Sequence, residues 1–325
     1  MRILFGLFLL IPLGAPAAIL LASLLDSQHR WADILVQFSS PAVVGTVILL
    51  ITYVLLRQRL NQLIALIVAV GLAFVAWPQW VPAGGRPAPE APVVRVYSAN
   101  LWVRNSDVEA MRRSIEAADP DVIMLIEMGP TTREQLDGLL AGYPYRSAPS
   151  VQGDLLNRAI IAARFPITEF GRRPDGLHAV MVRGETPLGP MNFIVTHLTR
   201  PWPFEAQEGQ LTQTRALTER VASISGPVVI AGDFNSVTTG RIGRMIRDDM
   251  ALNAAPGWPG TWPSALPGPA RITIDQVYVT HDLAVRDRRL GPRNGSDHMP
   301  VITEIGLAPV QVTETPSSDP ADPGP

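Results

Sequence analysis

A small set of acidic, amide and imidazole side chains sits where short apolar runs end. Asn100 follows VVRVYSA, Glu127 closes VIMLIE, His197 closes NFIVTH, and Asp233 and Asn235 follow PVVIAG in the segment GDFN. Asp275 lies inside ITIDQVYV, and Asp297 and His298 precede the last apolar run in GSDHMPV. Carboxylates and amides offer hard oxygen donors to a divalent cation. An imidazole beside them titrates near neutrality and can serve as base, acid or phosphate donor. Taken singly, each residue has an ordinary explanation. A strand-end Asp or Asn is usually a turn residue, Glu127 could cap a helix, and His197 could be a satisfied core histidine. Asp275 resists that treatment, because a carboxylate inside an apolar strand is costly to bury unless paired or metal-bound.

These residues need strands to place them. Val93–Ala99 is rich in β-branched residues and reads as a strand. Val122–Ile126 is a continuous apolar run, expected to be buried on both faces. Ala159–Ala163, Ala179–Val182, Asn192–Thr196, Pro227–Ala231, Thr273–Val279 and Pro300–Ile305 read as further strands. Between them lie helical patterns: one capped by Ser106 with Glu109 as a capping box and ending near Ala118, one starting at Thr131 or Thr132 and ending near Gly142, and one over Glu205–Ile224. Helices interleaved with strands indicate layered α/β or α+β packing. Strand ends are where a rigid scaffold presents chemistry.

The apolar content is concentrated at the start. Three runs, about 3–25, 34–56 and 61–80, carry no charge and are long enough to cross a bilayer core as helices. Pro12, Gly14 and Pro16 predict a kink in the first. A cleaved signal peptide is the other reading of that run, but no small-x-small site follows it cleanly. Trp77 and Trp80 suit a membrane interface at the end of the third. Placing Arg2, Arg57 and Arg59 in the cytoplasm satisfies the positive-inside bias and puts everything after Trp80 outside it, on the periplasmic face of an inner membrane. Residues 81–92 (VPAGGRPAPEAP) have linker composition, 93–307 read as the globular domain, and 308–325 read as a disordered tail.

Composition excludes other chemistries. There is no cysteine, so disulfides, thiolate metal sites and a cysteine nucleophile are ruled out. The net charge is −2 and lysine is absent. In 93–307 Arg and acidic residues nearly balance, and no stripe of Arg interleaved with aromatics appears. Duplex binding draws most of its affinity from phosphate neutralisation, so the sequence gives no support for a dedicated duplex binder. The clusters Arg172-Arg173 and Arg286, Arg288, Arg289 read as solvated faces.

The ordered set SANLW, IEM, VTHL, GDFN, TIDQV and GSDHMPV resembles the endonuclease/exonuclease/phosphatase superfamily over about residues 93–307. That superfamily includes DNase I, the AP endonucleases of base-excision repair, inositol polyphosphate 5-phosphatases and neutral sphingomyelinases. GDFN and SDHMPV are specific as an ordered pair; either alone is weak. The resemblance implies an α/β (α+β) four-layered sandwich, two β-sheets flanked by helices, here preceded by three transmembrane helices. It implies Mg2+ or Mn2+, with Glu127 as principal ligand and Asn100 and Asp297 in support, directly or through water. It implies that His298 lies beside the attacking water or the scissile phosphate and that Asp275 orients its ring. Asp233 and Asn235 match the pair that positions nucleophile or leaving group, and His197 matches a histidine that contacts phosphate or protonates the leaving oxygen. Which of Asp233, His197 and His298 is base or acid stays open.

Departures narrow the substrate. Trp102 stands where AP endonucleases carry an acid, and His197 where they carry a tyrosine. The Trp-Cys-Asp-Arg signature of the 5-phosphatases is replaced by TIDQV. In GWPGTWPS, Trp258 and Trp262 either shape a substrate wall or pack a long loop. The expectation is a metal-dependent phosphoesterase, a phosphodiesterase or endonuclease acting on nucleic acid or on a lipid or envelope phosphodiester. The alternatives are a sphingomyelinase-like enzyme of lipid headgroups and a non-catalytic phospholigand-binding membrane protein.

Overall fold

Helices formed by the uncharged runs open the chain. In the computed structural model, which describes residues 6–25, 27–148, 158–171, 176–201 and 206–309, the first is α1 (Gly14–Leu24). With the preceding 3-10 turn Ile11–Leu13 it forms a helical stretch over Gly6–Leu24. Then come α2 (Arg30–Val36), α3 (Ser39–Leu55) and α4 (Arg59–Ala76), the last continued by a 3-10 turn to Gln79. Gly6–Leu24 and Arg59–Gln79 are each long and apolar enough to cross a membrane. The single helix expected over 34–56 is divided instead. Its first residues belong to α2, which meets α3 at 60°. Pro41 sits in the first turn of α3, where a missing N–H costs nothing. The helices pack through Ile19, Ala42, Val68 and Leu72 and, further from the elbow, through Leu13, Tyr53 and Ala65. Large apolar side chains such as Phe8, Ile48, Leu55, Ile67 and Phe74 point outward and are exposed. Arg2, Ile3 to Phe5, Asp26, the Arg172-Arg173 pair, Glu205 and the expected tail from 310 onward lie outside the described residues.

The globular part is built on two six-stranded sheets. The strands are β1 (Val94–Asn100), β2 (Val122–Ile126), β3 (Tyr145–Arg146), β4 (Ile160–Ala163), β5 (Ile167–Glu169), β6 (Ala179–Thr186), β7 (Gly189–His197), β8 (Val228–Asp233), β9 (Leu252–Ala254), β10 (Asp275–Thr280), β11 (Leu283–Leu290) and β12 (Val301–Leu307). One sheet has the order β11-β12-β1-β2-β4-β3, the other β5-β6-β7-β8-β10-β9. Strand alternation sorts the apolar residues into layers. Val94, Val96, Met124 and Ile161 of the first sheet meet Val182, Phe193, Val195, Val229 and Val277 of the second in the central core. On the outer face of the first sheet, Tyr97, Ala99 and Ile123 pack on Met111 and Ile115 of α5 (Val108–Ala118). The chain next forms two short helices, α6 (Pro130–Glu134) and α7 (Leu136–Leu139). The outer face of the second sheet packs, through Ile194, Ile230 and Tyr278, on α8 (Gln207–Ala222) and α9 (Arg241–Asp249). The result is the expected four-layered sandwich, helix, sheet, sheet, helix.

Details differ from the sequence reading. The cap of α5 is Asp107, whose side chain accepts from the Ala110 N–H, and not Ser106. Glu109 pairs with Arg112 and Arg113 instead of closing a capping box. The helix expected from Thr131 or Thr132 starts at Pro130 and is broken into α6 and α7. The 81–92 segment is tied down, since Arg286 Nη1 donates to the carbonyls of Pro89 and Ala91 at 3.1 Å each.

Gly232, the residue before Asp233, has φ +142°, and a Cβ there would lie 1.9 Å from the Thr196 carbonyl oxygen on the neighbouring strand β7. Only glycine satisfies both demands. Gly232→Ala is expected to destabilise the protein by about 3 kcal/mol or more. That corresponds to roughly 6–12 °C in Tm for a domain of this size. Thermal unfolding of the full chain in detergent, followed by circular dichroism, measures it; an unchanged Tm would contradict the close approach.

Candidate active site

Sheet topology brings the polar strand ends together. In the first sheet β1 and β2 run parallel, so Asn100 and Glu127, one residue beyond β2, emerge at the same end. In the second sheet β7 and β8 run parallel with His197 opposite Asp233. The antiparallel β10 starts where β8 ends, with Asp275 opposite Asp233. Antiparallel β12 starts beside the end of β1, with Val301 opposite Ser98, which delivers Asp297 and His298 to the same place.

Direct contacts then connect seven of the eight expected residues. Asn100 Nδ2 donates to Glu127 Oε1 at 2.9 Å and to Asp233 Oδ2 at 3.2 Å, joining the two sheets. His197 Nε2 lies 3.5 Å from Glu127 Oε1 and 3.8 Å from Asp233 Oδ2. Asn235 donates its backbone N–H to Asp233 Oδ1 (2.8 Å) and its side-chain amide to the Leu198 carbonyl (2.9 Å), and that amide is 3.4 Å from His197 Nε2. His298 Nδ1 is 2.8 Å from Asp275 Oδ2, and its Nε2 is 3.8 Å from Asp233 Oδ2. Because a carboxylate accepts, the proton sits on Nδ1 and Nε2 faces the cluster. Asp297 stands at the margin. Its Oδ2 accepts from Trp262 Nε1 at 3.3 Å, and its Oδ1 is buried with no partner.

The backbone is strained here. Glu127, Asn235 and the adjoining Trp102 have φ of +53°, +48° and +57°, three of the six non-glycine residues with positive φ among those described. Such conformations cost about 1–3 kcal/mol each and persist where surrounding contacts over-determine them. Glu127 and His197 keep 26% and 28% of their side chains accessible, whereas Asp233, Asp275 and His298 are buried. Burial and the neighbouring Asp275 carboxylate push the Asp233 pKa up to about 6. Burial opposes charge on His298, yet Asp275, hydrogen-bonded to it, with Asp233 and Asp297 nearby, pushes its pKa up to about 10.

The donor set fits a divalent cation. Ligand atoms of Glu127, His197 and Asp233, and again of Asp233, Asp275 and His298, lie within 4.8 Å of one another. Glu127 Oε2 accepts only a long 3.4 Å contact from the Val103 N–H, so it keeps free lone pairs. The partnerless Asp297 Oδ1 is a further buried oxygen with no hydrogen-bond donor. Asn100 turns its N–H groups to Glu127 and Asp233 while its Oδ1 accepts from the Trp102 N–H (2.9 Å), so it supports the carboxylates. A cavity of about 550 Å³ lined by Phe170, Met181, Arg183 and Asn192 contains none of these residues.

Two contributors, Ser296 and Gln37, had no assigned role in the sequence reading, and for Trp262 it left a substrate wall and loop packing both open. Ser296 Oγ donates to the Asn100 carbonyl (2.8 Å) and accepts from the His298 N–H (3.1 Å), so it ties the two loops together. Its signal was its place inside GSDH. Trp262 borders the site, 6.4 Å from the His298 ring between centroids, while Trp258 packs near Trp80 of the N-terminal part, 6.4 Å between ring centroids. Gln37 donates to the Asn235 carbonyl at 3.1 Å; a glutamine inside an apolar run was its only signal.

Comparison with known proteins bears on the family and the fold. Residues 97–298 match the profile described as Endonuclease/Exonuclease/phosphatase family. No curated protein matches the sequence. Among solved structures, an endonuclease/exonuclease/phosphatase from Beutenbergia cavernae is 21% identical with a TM-score of 0.53, over 66% of this chain and 72% of that one. The human Nocturnin catalytic domain with bound sulfate anion is 18% identical with a TM-score of 0.53, over 67% of this chain and 94% of that one. A mutant of beta toxin from Staphylococcus aureus with bound magnesium ions is 14% identical with a TM-score of 0.52, over 67% of this chain and 100% of that one. At these identities the likeness is one of fold.

Proposed function

Since the chain belongs to the endonuclease/exonuclease/phosphatase family, whose members are generally metal-dependent hydrolases of phosphate esters, we propose that it is a membrane-anchored phosphodiesterase. The observation that carries this reading is the continuous contact network from Glu127 through Asn100, Asp233 and His197 to the Asp275–His298 pair. Glu127 would hold the cation, Mg2+ or Mn2+, with Asp297 in support and Asn100 acting through the Glu127 and Asp233 carboxylates that it holds. A bound cation of this kind offsets the negative charge that builds on a phosphoryl oxygen.

The side chains supply the rest. With a pKa of about 10, His298 carries two protons at neutral pH, and Nε2–H is a donor to a phosphoryl oxygen. Asp233, at about 6, is the group matched to take a proton from water near neutrality. His197, accessible and held near the Asn235 amide, is placed to protonate the leaving oxygen. The water oxygen forms a bond to phosphorus, the P–O bond to the alcohol breaks, one water proton goes to Asp233, and the alcohol oxygen takes one from His197.

The test uses the full chain in detergent with bis(p-nitrophenyl) phosphate. Hydrolysis is expected with Mg2+ or Mn2+ and is expected to fall at least about 100-fold after chelation with EDTA, returning on readdition. Turnover indifferent to chelation would overturn the metal-dependent reading. Phosphate binding with no hydrolysis under any metal would favour the non-catalytic alternative.

The proposed anchor consists of three spans, the first two joined through the α2 elbow, with Arg57 and Arg59 at the cytoplasmic turn and the catalytic layers outside, in the periplasm. The lengths of the helices, their exposed apolar outer faces and the two arginines at the turn support it. A phosphatase reporter active only outside the cytoplasm, fused after residue 309, is expected to be active. A reporter fused in the turn at Gln58 is expected to be silent, and the opposite pattern would reverse the topology.

A further inference from the structure

The helical anchor and the catalytic layers meet at one end of the sandwich, and it is the end that carries the site. Gln37, at the elbow between α2 and α3, donates to the Asn235 carbonyl, which also accepts from Gln210 Nε2 at 3.1 Å. Buried Asp33 accepts from the backbone N–H of Arg241 at the start of α9 (2.8 Å) and from the Gln207 amide. Gln79, just beyond α4, is fully buried. Its amide donates to Ser39 Oγ (2.8 Å) and Thr239 Oγ1 (2.7 Å), and its Oε1 accepts from Ser40 (2.9 Å) and Thr273 (3.0 Å). Its carbonyl accepts from the N–H groups of Gly257 (2.7 Å) and Trp258 (3.1 Å). Buried polar networks with their partners in place fix one arrangement. The loop bearing Asn235 and the loop leading to Asp275 therefore rest on the helix ends.

Those ends are on one side of the bundle. The 17 residues of α3 run about 25 Å from the elbow to the turn at Arg57. The 18 residues of α4 return a similar distance. If the bundle spans a bilayer, the catalytic end lies at one membrane surface and the β6–β7 hairpin at the far end of the domain. Of the exposed large apolar side chains on the described sandwich, Trp102, beside Asn100, and Leu266, in the loop that binds the Asp297 carbonyl through Ser264, lie at the catalytic end, whereas Tyr145 and Leu307 lie away from it. Trp31 and Phe38 of the elbow are also exposed. Tryptophan and large apolar side chains with a polar surround suit the headgroup level.

Resting on the phosphoesterase reading above, we propose that the mouth of the site faces the bilayer and that its substrate is a lipid-borne phosphodiester held in the headgroup layer. Hydrolysis there places the cleaved P–O bond at the membrane surface and releases one product into water while the other stays in the lipid.

The chain has no cysteine, so single labels are specific. Trp102→Cys, Leu266→Cys and Glu185→Cys, the last on the far hairpin, carry an environment-sensitive fluorophore in the full chain. The protein is reconstituted in vesicles of phosphatidylethanolamine and phosphatidylglycerol containing headgroup-level nitroxide lipid. Labels at 102 and 266 are expected to be quenched at least twofold more than the label at 185. Unlabelled, unsubstituted protein with Mg2+ or Mn2+ is then given the same vesicles, followed by phosphorus-31 NMR, and separately bis(p-nitrophenyl) phosphate and plasmid DNA. Vesicle phosphodiester is expected to turn over at least tenfold faster than either soluble substrate. Equal quenching at all three positions, or cleavage of the soluble substrates with vesicle phosphorus untouched, overturns the proposal and leaves the phosphoesterase reading standing. No cleavage of any of the three removes the phosphoesterase reading, and the proposal with it.

Discussion

Glu127→Gln is expected to lower kcat/KM for phosphodiester hydrolysis by at least about 10³-fold, a barrier increase of about 4 kcal/mol. The substitution keeps the shape and the left-handed backbone of residue 127, and Gln can still accept from Asn100 through its carbonyl oxygen. What it removes is the negative charge and the oxygen Oε2, the atom of the cluster with the most unused acceptor capacity. Lost charge weakens cation binding, so the defect should appear as a requirement for far higher Mg2+ together with a low limiting rate. Folding should be nearly unchanged, because the side chain is about a quarter accessible and Gln keeps the bond from Asn100. Asp297→Asn is the graded companion. Its carboxylate touches Trp262 and lies at the margin, so a loss of about 10–100-fold is expected. Wild-type kcat/KM in Glu127→Gln at ordinary Mg2+, with an unchanged Tm, would remove Glu127 from the cation site.

The legible parts of this protein were those governed by local pattern. Val122–Ile126 was read with its observed bounds because a five-residue apolar run between Asp-Pro-Asp and Glu has no other stable use. The site residues were legible as a set, since each ends or starts a strand. Their partnerships were not legible from local pattern, and the pairing of Asp275 with His298 was expected only through the family resemblance. Nothing in local pattern joins Asp275 to His298 across 23 positions; the antiparallel entry of β10 and β12 does that. Very short strands such as Leu252–Ala254 were missed, and so were two longer elements whose charge hides their period. The helix RIGRMIRDD buries only a narrow stripe, Ile242, Gly243 and Ile246, and the edge strand LAVRDRRL carries arginines that donate to Glu304 and the Pro259 carbonyl. Ser106 and Asp107 were both available as caps, and the entry of the chain into α5 decides between them.

The N-terminal helices illustrate the same point across the whole chain. Gln37 and Asn235 are 198 positions apart, and only packing of the bundle on the sandwich brings them together. The composition of 81–92 suggests a free tether, yet Asp33, Gln37 and Gln79 bind the loops that shape the site. A domain cut at residue 93 would lose Gln37, one of the two donors to the Asn235 carbonyl, and Asp33, the acceptor of the Arg241 N–H. The full chain is therefore the proper unit for every assay proposed above.

Asp275→Asn and His298→Ala are expected each to lower kcat by about 10²–10⁴-fold, and the double variant to be little worse than the more damaging single one. The reason is that they act as one unit. Asp275 Oδ2 fixes the Nδ1 proton and stabilises the cation, and His298 presents Nε2–H to the cluster. The pH dependence separates this from a merely structural role. In the wild type the His298 pKa is held at about 10, so its donor is present throughout the neutral range. With Asn at 275 the chief stabiliser of the charge is gone, while burial, which opposes the charge, remains. The ring then titrates toward or below its ordinary value of about 6.5. The residual activity of Asp275→Asn should therefore decline as pH rises through about 6–7, where the wild type shows no loss from this group. Stability follows the same sign. A pKa raised on folding stabilises fully below the unfolded value near 6.5, and that contribution disappears as pH rises through about 10. Asp275→Asn should abolish this alkaline loss along with most of the stabilisation itself. Parallel pH–rate profiles in wild type and Asp275→Asn, differing only in height, would show that Asp275 does not set the charge of His298.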